Sequence, residues 1–230
     1  HTKPPQRAVV INQKQTEIML ALGLERQMAG TAYLDDAILP ELEAAYKTVP
    51  VLAEKYPSKE QIISLNADFI YAGFGGAYMA KTVGTREELL ELDISPYLTP
   101  AHCFGKRTQP VRLDEVMQEI SEIGAIFGAE KKAADLTASL RREIEAVQVA
   151  LRQVKSKKRV FFFNTWGTNE DVPYTSGCCG IVQLIIALAG GENIFSDLDG
   201  MMGPYPFDFL FFQRTQQLDL SCRRNITDFI

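Results

Sequence analysis

Leu136, Leu140, Ile144, Val147, Leu151 and Val154 recur at three- and four-residue intervals, with no proline or glycine anywhere between Ala129 and Val154. That period puts the apolar side chains on one face of a helix. A helix from about Ala129 to Val154 would be ~39 Å long at 1.5 Å rise per residue, enough to cross a domain rather than merely pack on one. The pattern predicts a rigid strut joining two lobes. An N-terminal lobe then occupies residues 1–128, a linking helix 129–157 and a C-terminal lobe 158–230. A chain of 230 residues with 46% hydrophobic content is long enough to bury a core in each lobe.

On either side of the strut the elements alternate. Arg7 to Asn12 reads as a buried strand, Thr16 to Leu22 as a helix stopped by Gly23, and Gln27 to Tyr33 as a second strand. This is a parallel βαβ pattern, whose strand-end loops are the usual binding surface. Tyr33, Asp35 and Asp36 follow such a strand. Ser58-Lys59-Glu60-Gln61 and Thr85-Arg86-Glu87-Glu88 have capping-box spacing, each opening a helix. Between them Phe69 to Ala72 reads as a strand running into Gly73-Phe74-Gly75-Gly76-Ala77-Tyr78, where glycines admit close backbone approach and aromatics offer flat surface. Ile94 to Thr99 is a further strand. Val116, Ile120, Ile123 and Phe127 mark a helix ending at Gly128. Beyond the strut, Val160 to Asn164 opens a second set of elements. A loop follows with Trp166, Asp171, Tyr174 and Thr175, then a helix to Ala189, which Gly190-Gly191 terminates before Asn193-Ile194-Phe195. The fold class is α/β: two Rossmann-like lobes with parallel sheets joined by one long backbone helix.

Composition narrows the partners. With 24 Lys and Arg against 29 Asp and Glu the formal charge is -5, so no global positive field attracts phosphate backbones, and nucleic acid is excluded as an expected partner. The most apolar helix candidate, Ile181 to Ala189, falls far short of the ~20 residues of a membrane span. His1 to Arg7 lacks an apolar secretion core, so a targeting peptide is expected to have been removed or never present. No stretch of this sequence is itself expected to enter a bilayer.

Several segments, taken in order and spacing, resemble a known family. They are Arg7-Ala8-Val9-Val10 with Thr16-Glu17 and Leu20-Ala21-Leu22-Gly23; Pro57-Ser58-Lys59-Glu60 with Leu65-Asn66-Ala67-Asp68-Phe69-Ile70; the strut; and Tyr174-Thr175-Ser176-Gly177 with Ala189-Gly190-Gly191-Glu192-Asn193-Ile194-Phe195. From Arg7 to about Gly200 the chain resembles the extracytoplasmic solute-binding receptors of ABC importers that take up ferric siderophores, haem and cobalamin. The resemblance implies two α/β lobes joined by one long helix, a metal chelate held in the cleft with little hinge motion, and no covalently bound cofactor. It also implies a periplasmic or lipid-anchored protein that docks on an ABC importer permease through a carboxylate on each lobe. The first-lobe carboxylate matches Glu60. The departure lies after Gly200, where Met201-Met202-Gly203-Pro204-Tyr205-Pro206-Phe207 and the apolar run from Phe209 to Phe212 replace the family's second docking helix. A truncated or frame-shifted reading would produce that ending, and the second lobe would then be incomplete.

The candidate ligand-binding residues are Tyr33, Phe74, Tyr78, Trp166 and Tyr174, aromatics at or near strand ends. Such residues either stack on a planar chelate or macrocycle, or cap the sheet edge and fill core gaps. Asp35 and Asp36 suit a hard cation or a cationic ligand edge, and equally a solvated turn. His102 beside Cys103 offers too few ligands for a zinc or manganese receptor in a chain with two histidines. Lys106, Arg107 and Arg112 form a basic patch suited to an anionic chelate or to a solvated loop. Asn225-Ile226-Thr227 fits a glycosylation triplet that is common by chance.

Four cysteines, Cys103, Cys178, Cys179 and Cys222, match no metal-binding spacing. Adjacent cysteines seldom bridge each other, so Cys178-Cys179 reads as a pair of small residues in close-packed backbone. The alternative is a thiol-dependent redox or metal-transfer enzyme using the two. No G-x-G-x-x-G after the first strand, no P-loop and no G-x-S-x-G elbow is present, so dinucleotide, nucleotide and hydrolase chemistry lack their parts. The expectation is a binding protein and not an enzyme.

Overall fold

A computed structural model describes residues 3–100, 109–166 and 173–204. The chain divides into two compact units, His1–Gly105 with Asp114–Leu140, and Lys106–Leu113 with Arg141–Ile230.

The first unit is built on a five-stranded sheet in the order β3-β2-β1-β4-β5, with β1 Ala8–Ile11, β2 Met28–Ala32, β3 Val51–Ala53, β4 Phe69–Ala72 and β5 Ser95–Leu98. Every pairing is parallel. The central strands β1 and β4 are buried at every position, as expected of near-continuous apolar runs covered on both faces. Helices α1 (Gln13–Ala21), α2 (Glu43–Tyr46), α3 (Lys59–Ser64) and α4 (Arg86–Glu91) fall in the connections. Both expected capping boxes are formed, at Ser58 with Gln61 and at Thr85 with Glu88.

Helix α5 (Leu113–Phe127) buries Met117, Ile120, Ile123 and Phe127. Val116 of the expected stripe is only half-buried, and Met117 takes its place. Gly23 and Gly128 end their helices at φ 65° and 70°, the left-handed region open to glycine. A Cβ at Gly124 would stand 2.5 Å from the Ala133 Cβ, so α5 and the next helix can pack closely only because that side chain is missing.

That next helix, α6 (Glu130–Leu151), has 22 residues, or ~33 Å of rise. It is the helix of the sequence pattern, ending at Leu151 rather than about Val154. Its only buried residue is Ala133, and Val147 is 49% exposed. The apolar stripe therefore identified the helix without marking a buried face.

In the second unit β6 (Lys158–Val160) pairs in parallel with β9 (Gly191–Asn193). A separate antiparallel sheet has the order β10-β8-β7, with β7 Phe163–Trp166, β8 Pro173–Ser176 and β10 Met202–Pro204. The expected single strand over Val160 to Asn164 is thus two strands belonging to different sheets. Among the described residues of this unit parallel pairing holds for β6 and β9 alone, because the connection from Trp166 to Pro173 is too short for a crossover and β7 and β8 pair as neighbours in opposite directions. Helix α7 (Ile181–Leu188) lies between β8 and β9 in the chain.

Candidate functional site

Because β1 to β5 are all parallel, their carboxyl ends share one edge. The last paired row is Ala53, Ala32, Ile11, Ala72 and Leu98, so the rim just beyond it carries Glu54, Tyr33, Asn12, Gly73 and Thr99. The chain steps from β1 outward to β2 and β3, then returns to place β4 on the other side of β1. Ligands of open α/β sheets bind at such a reversal, outside the carboxyl ends of the strands.

Two non-glycine residues on this rim have left-handed backbone, Asn12 at φ 86° and Tyr33 at φ 58°. Conformations of this kind cost roughly 1–3 kcal/mol and collect at functional positions. At the reversal itself the Gly73 amide donates to Asn12 Oδ1 at 3.1 Å. Asn12 is 2% exposed and its Nδ2 is buried without a partner, a further cost carried at the same point.

The aromatic part of the rim centres on Tyr33 and Tyr56. Their rings meet edge to face at 4.9 Å and 62°. Tyr56 follows β3, and a Cβ at Gly76 would stand 3.2 Å from its hydroxyl oxygen. Glycine there lets the loop after β4 come up against the phenol. At Gly75 an added Cβ would meet nothing within 4 Å, and Phe74 is 46% exposed. Burial first, then Tyr33 and Asp35, push the Tyr56 phenol above its ordinary pKa, which keeps it protonated at neutral pH. The cluster presents apolar ring surface with phenol groups at hand, a composition typical of small-molecule sites.

Behind the rim is a polar core centred on Glu119 of α5, which is 1% exposed. Its Oε1 accepts from the Tyr71 hydroxyl at 2.6 Å and from Gln15 Nε2 at 3.4 Å, and Oε2 accepts from Lys14 Nζ at 2.7 Å. Lys14 Nζ also donates to Thr99 Oγ1 at 3.2 Å. Burial, followed by the Glu119 charge, raises the Tyr71 phenol well above its usual range. The network ties α1, α5, β4 and the residue after β5 to one carboxylate.

The sequence-predicted residues separate on this framework. Tyr33 and Phe74 stand on the rim. Tyr78 is 9% exposed, with its hydroxyl 2.9 Å from the carbonyls of both Ile70 and Tyr97, so its phenol bridges β4 and β5 from within the core. Tyr174 is half-buried in β8, paired with Thr165, and Trp166 ends β7 opposite Pro173. Glu60 is exposed in the first turn of α3, its carboxyl held below the ordinary value by backbone and Ser58 hydrogen bonds. Asp35 and Asp36 are exposed, and Asp36 Oδ1 accepts from the Ala37 amide at 2.7 Å.

Among the described residues no group of three or more His, Cys, Asp and Glu is placed to hold a metal ion. His102, Cys103, Lys106, Arg107, Asp171, Cys222 and the Asn225 triplet lie outside the described residues. Cys178 and Cys179 are joined as a vicinal disulfide, contrary to the expectation from their adjacency. Sequence reasoning missed Tyr56, Asn12 and Glu119. The local signal for Tyr56 was its position shortly after a strand.

Comparison with known proteins matches these features to a family. Residues 9–218 match the family model described as periplasmic binding protein. A periplasmic binding protein from Veillonella parvula superposes with a TM-score of 0.81 at 25% identity, covering 94% of this chain and 68% of that one. An ABC-type Fe3+-hydroxamate transport system protein from Saccharomonospora viridis gives 0.70 at 25% identity, covering 90% and 70%. An uncharacterised ABC transporter substrate-binding lipoprotein of Bacillus subtilis (strain 168) is 24% identical over 199 residues, 86% of this chain. The chain spans 58% of the length of that relative. None of these relatives is described as a thiol-dependent enzyme, the alternative raised by Cys178 and Cys179. With a family match that takes in both compact units, the chain belongs to the periplasmic binding protein family.

Proposed function

We propose that this chain is the substrate-binding component of an ABC importer, working outside the cytoplasm, and that it captures an iron chelate of the siderophore class. The observation that carries the reading is the Tyr33–Tyr56 ring pair, with the half-exposed Phe74 preceding Gly75 and Gly76 in the neighbouring rim loop, at the chain reversal of a parallel sheet. Flat rings beside phenol donors suit a bulky chelate with apolar faces and oxygen-rich edges. The printed descriptions of the Saccharomonospora and Bacillus relatives, hydroxamate-iron transport and substrate-binding lipoprotein, point the same way. Haem and cobalamin are the competing ligands. Glu60 is proposed as a docking carboxylate for the permease, since it is exposed and held ionised at a helix start.

The test is a titration of the purified chain with ferric hydroxamate, ferric catecholate, ferric citrate, haem and cobalamin. It is followed by calorimetry and by the fluorescence of the single tryptophan, with inner-filter correction. Saturable binding of a ferric chelate that weakens in Tyr33→Ala and Tyr56→Ala supports the reading. Binding of haem or cobalamin alone replaces the ligand class, and binding of none of the five overturns it.

A further inference from the structure

The segment before α7 holds two bonded sulfur atoms in a frame of backbone hydrogen bonds. Gly177 N–H donates to Met201 O at 3.3 Å, Cys178 N–H to Leu198 O at 2.8 Å and Cys179 N–H to Gly200 O at 3.2 Å. From the other side Asn193 Nδ2 donates to Ser176 O at 3.0 Å and Gly177 O at 3.3 Å. A Cβ at Gly180 would stand 3.0 Å from Met201 O, so the frame is tight on both flanks of the pair. Cys179 is fully buried and Cys178 is half-buried, which gives a reductant access through Cys178. Opening the disulfide would leave two thiols on neighbouring residues of a turn whose backbone these hydrogen bonds hold.

We propose that Cys178 and Cys179 form a redox-gated dithiol site: closed as the disulfide and, once reduced, a two-sulfur chelate for a thiophilic centre. In the opening step a dithiol reductant breaks the S–S bond. Two protons and two electrons pass to the protein sulfurs, and the reductant leaves as its cyclic disulfide. The reduced pair offers two soft ligands and, among the described residues, no third His, Cys, Asp or Glu joins them in a metal-binding group. Such a donor set suits soft centres that are satisfied by two sulfurs rather than hard cations or four-coordinate zinc. A trivalent organoarsenical is the matching probe: its oxide condenses with both thiols, forming two As–S bonds and releasing one water. This site is independent of the chelate-binding reading and involves no turnover.

The experiment uses the full chain. Wild-type protein is alkylated without reductant, digested and mapped by mass, then mapped again after reduction with dithiothreitol. A peptide containing Cys178 and Cys179 that carries no label before reduction and two labels after it is the expected result. Two labels before reduction, or a cross-link from this peptide to Cys103 or Cys222, overturns the closed state. In a Cys103→Ser, Cys222→Ser background the reduced chain should take up one phenylarsine oxide, read by intact mass. Adding Cys178→Ser or Cys179→Ser should abolish uptake while the far-ultraviolet circular dichroism stays unchanged. Uptake that survives either substitution, or no uptake by the reduced background chain, overturns the chelating role.

Discussion

Asn12 Oδ1 and the Gly73 amide are joined at 3.1 Å across the point where the chain reverses its direction along the sheet. The bond links the carboxyl ends of β1 and β4 with one short side chain, from a residue whose backbone sits at φ 86°. Removing it separates two contributions, the strained backbone and the side-chain hydrogen bond. Asn12→Ala should lose about 0.5–1.5 kcal/mol, since it keeps the strained backbone and removes one hydrogen bond, the Gly73 amide retaining the Ile11 carbonyl at 3.3 Å. Asn12→Gly should lose less, because glycine accepts the backbone angle. Urea unfolding of both variants measures the difference, and equal losses would contradict the strain argument.

The Tyr33–Tyr56 ring contact should be measurable apart from ligand binding. Edge-to-face pairs contribute about 0.5–1.5 kcal/mol beyond their buried area. A double-mutant cycle with Tyr33→Leu and Tyr56→Leu should return a coupling energy in that range by urea unfolding. Tyr56→Phe should keep most of the coupling, because the ring and not the hydroxyl makes the contact.

Glu119 should be more sensitive than any of its partners. Tyr71→Phe removes one donor and leaves the carboxylate with Lys14 and Gln15, so a loss of about 0.5–1.5 kcal/mol is expected. Glu119→Ala strands the Tyr71 hydroxyl in the core, a penalty of about 1–3 kcal/mol for that group alone, and takes the partner from Lys14 as well. Thermal or urea unfolding should rank Glu119→Ala well below Tyr71→Phe.

The second capping box predicts a pH dependence. Glu88 is held below the ordinary glutamate pKa by the Thr85 amide first and by Lys59 next. A carboxylate with a depressed folded pKa stabilises the fold above its unfolded pKa, and that contribution is lost as pH falls through the folded value. Stability should therefore fall on acidification below the usual glutamate range, with a shallower slope in Glu88→Gln. Chemical denaturation across that acidic window checks the sign, and an identical slope in the variant would refute it.

If Glu60 is the docking carboxylate proposed above, its substitution separates docking from capture. Glu60→Lys should leave chelate affinity within twofold, about 0.4 kcal/mol, because the residue is exposed in α3. It should reduce uptake in a reconstituted importer assay. A matching loss of affinity would move Glu60 from docking to ligand binding.

What could be read in the sequence was what local spacing determines. The capping boxes at Ser58 and Thr85 were legible because donor and acceptor lie within one helical turn. Strand β4 was legible because Phe69 to Ala72 is a short apolar run bounded by a glycine. The Glu119 network was not, since Tyr71 and Glu119 are 48 residues apart and a glutamate on a helix normally reads as solvated. The split of Val160 to Asn164 into β6 and β7 was hidden for a similar reason. A continuous apolar run does not say that its two ends pair with different strands. On the rim, Tyr33 and Phe74 were legible as aromatics placed just after strands, whereas Tyr78, chosen by the same rule, faces inward. Residue type and position along a loop do not fix the direction of a side chain.

The paired row of the first sheet ends at Ala53, Ala32, Ile11, Ala72 and Leu98, and the rim side chains begin one residue later. Strand pairing and the proposed recognition rim thus use different residues of the same chain. If the rim is the binding surface proposed above, a library varied at Tyr33, Tyr56 and Phe74 would seek new cargo preferences without changing a residue of the strand ladder or the Glu119 hub, and apolar replacements at Tyr33 and Tyr56 would keep their packing on the core beneath.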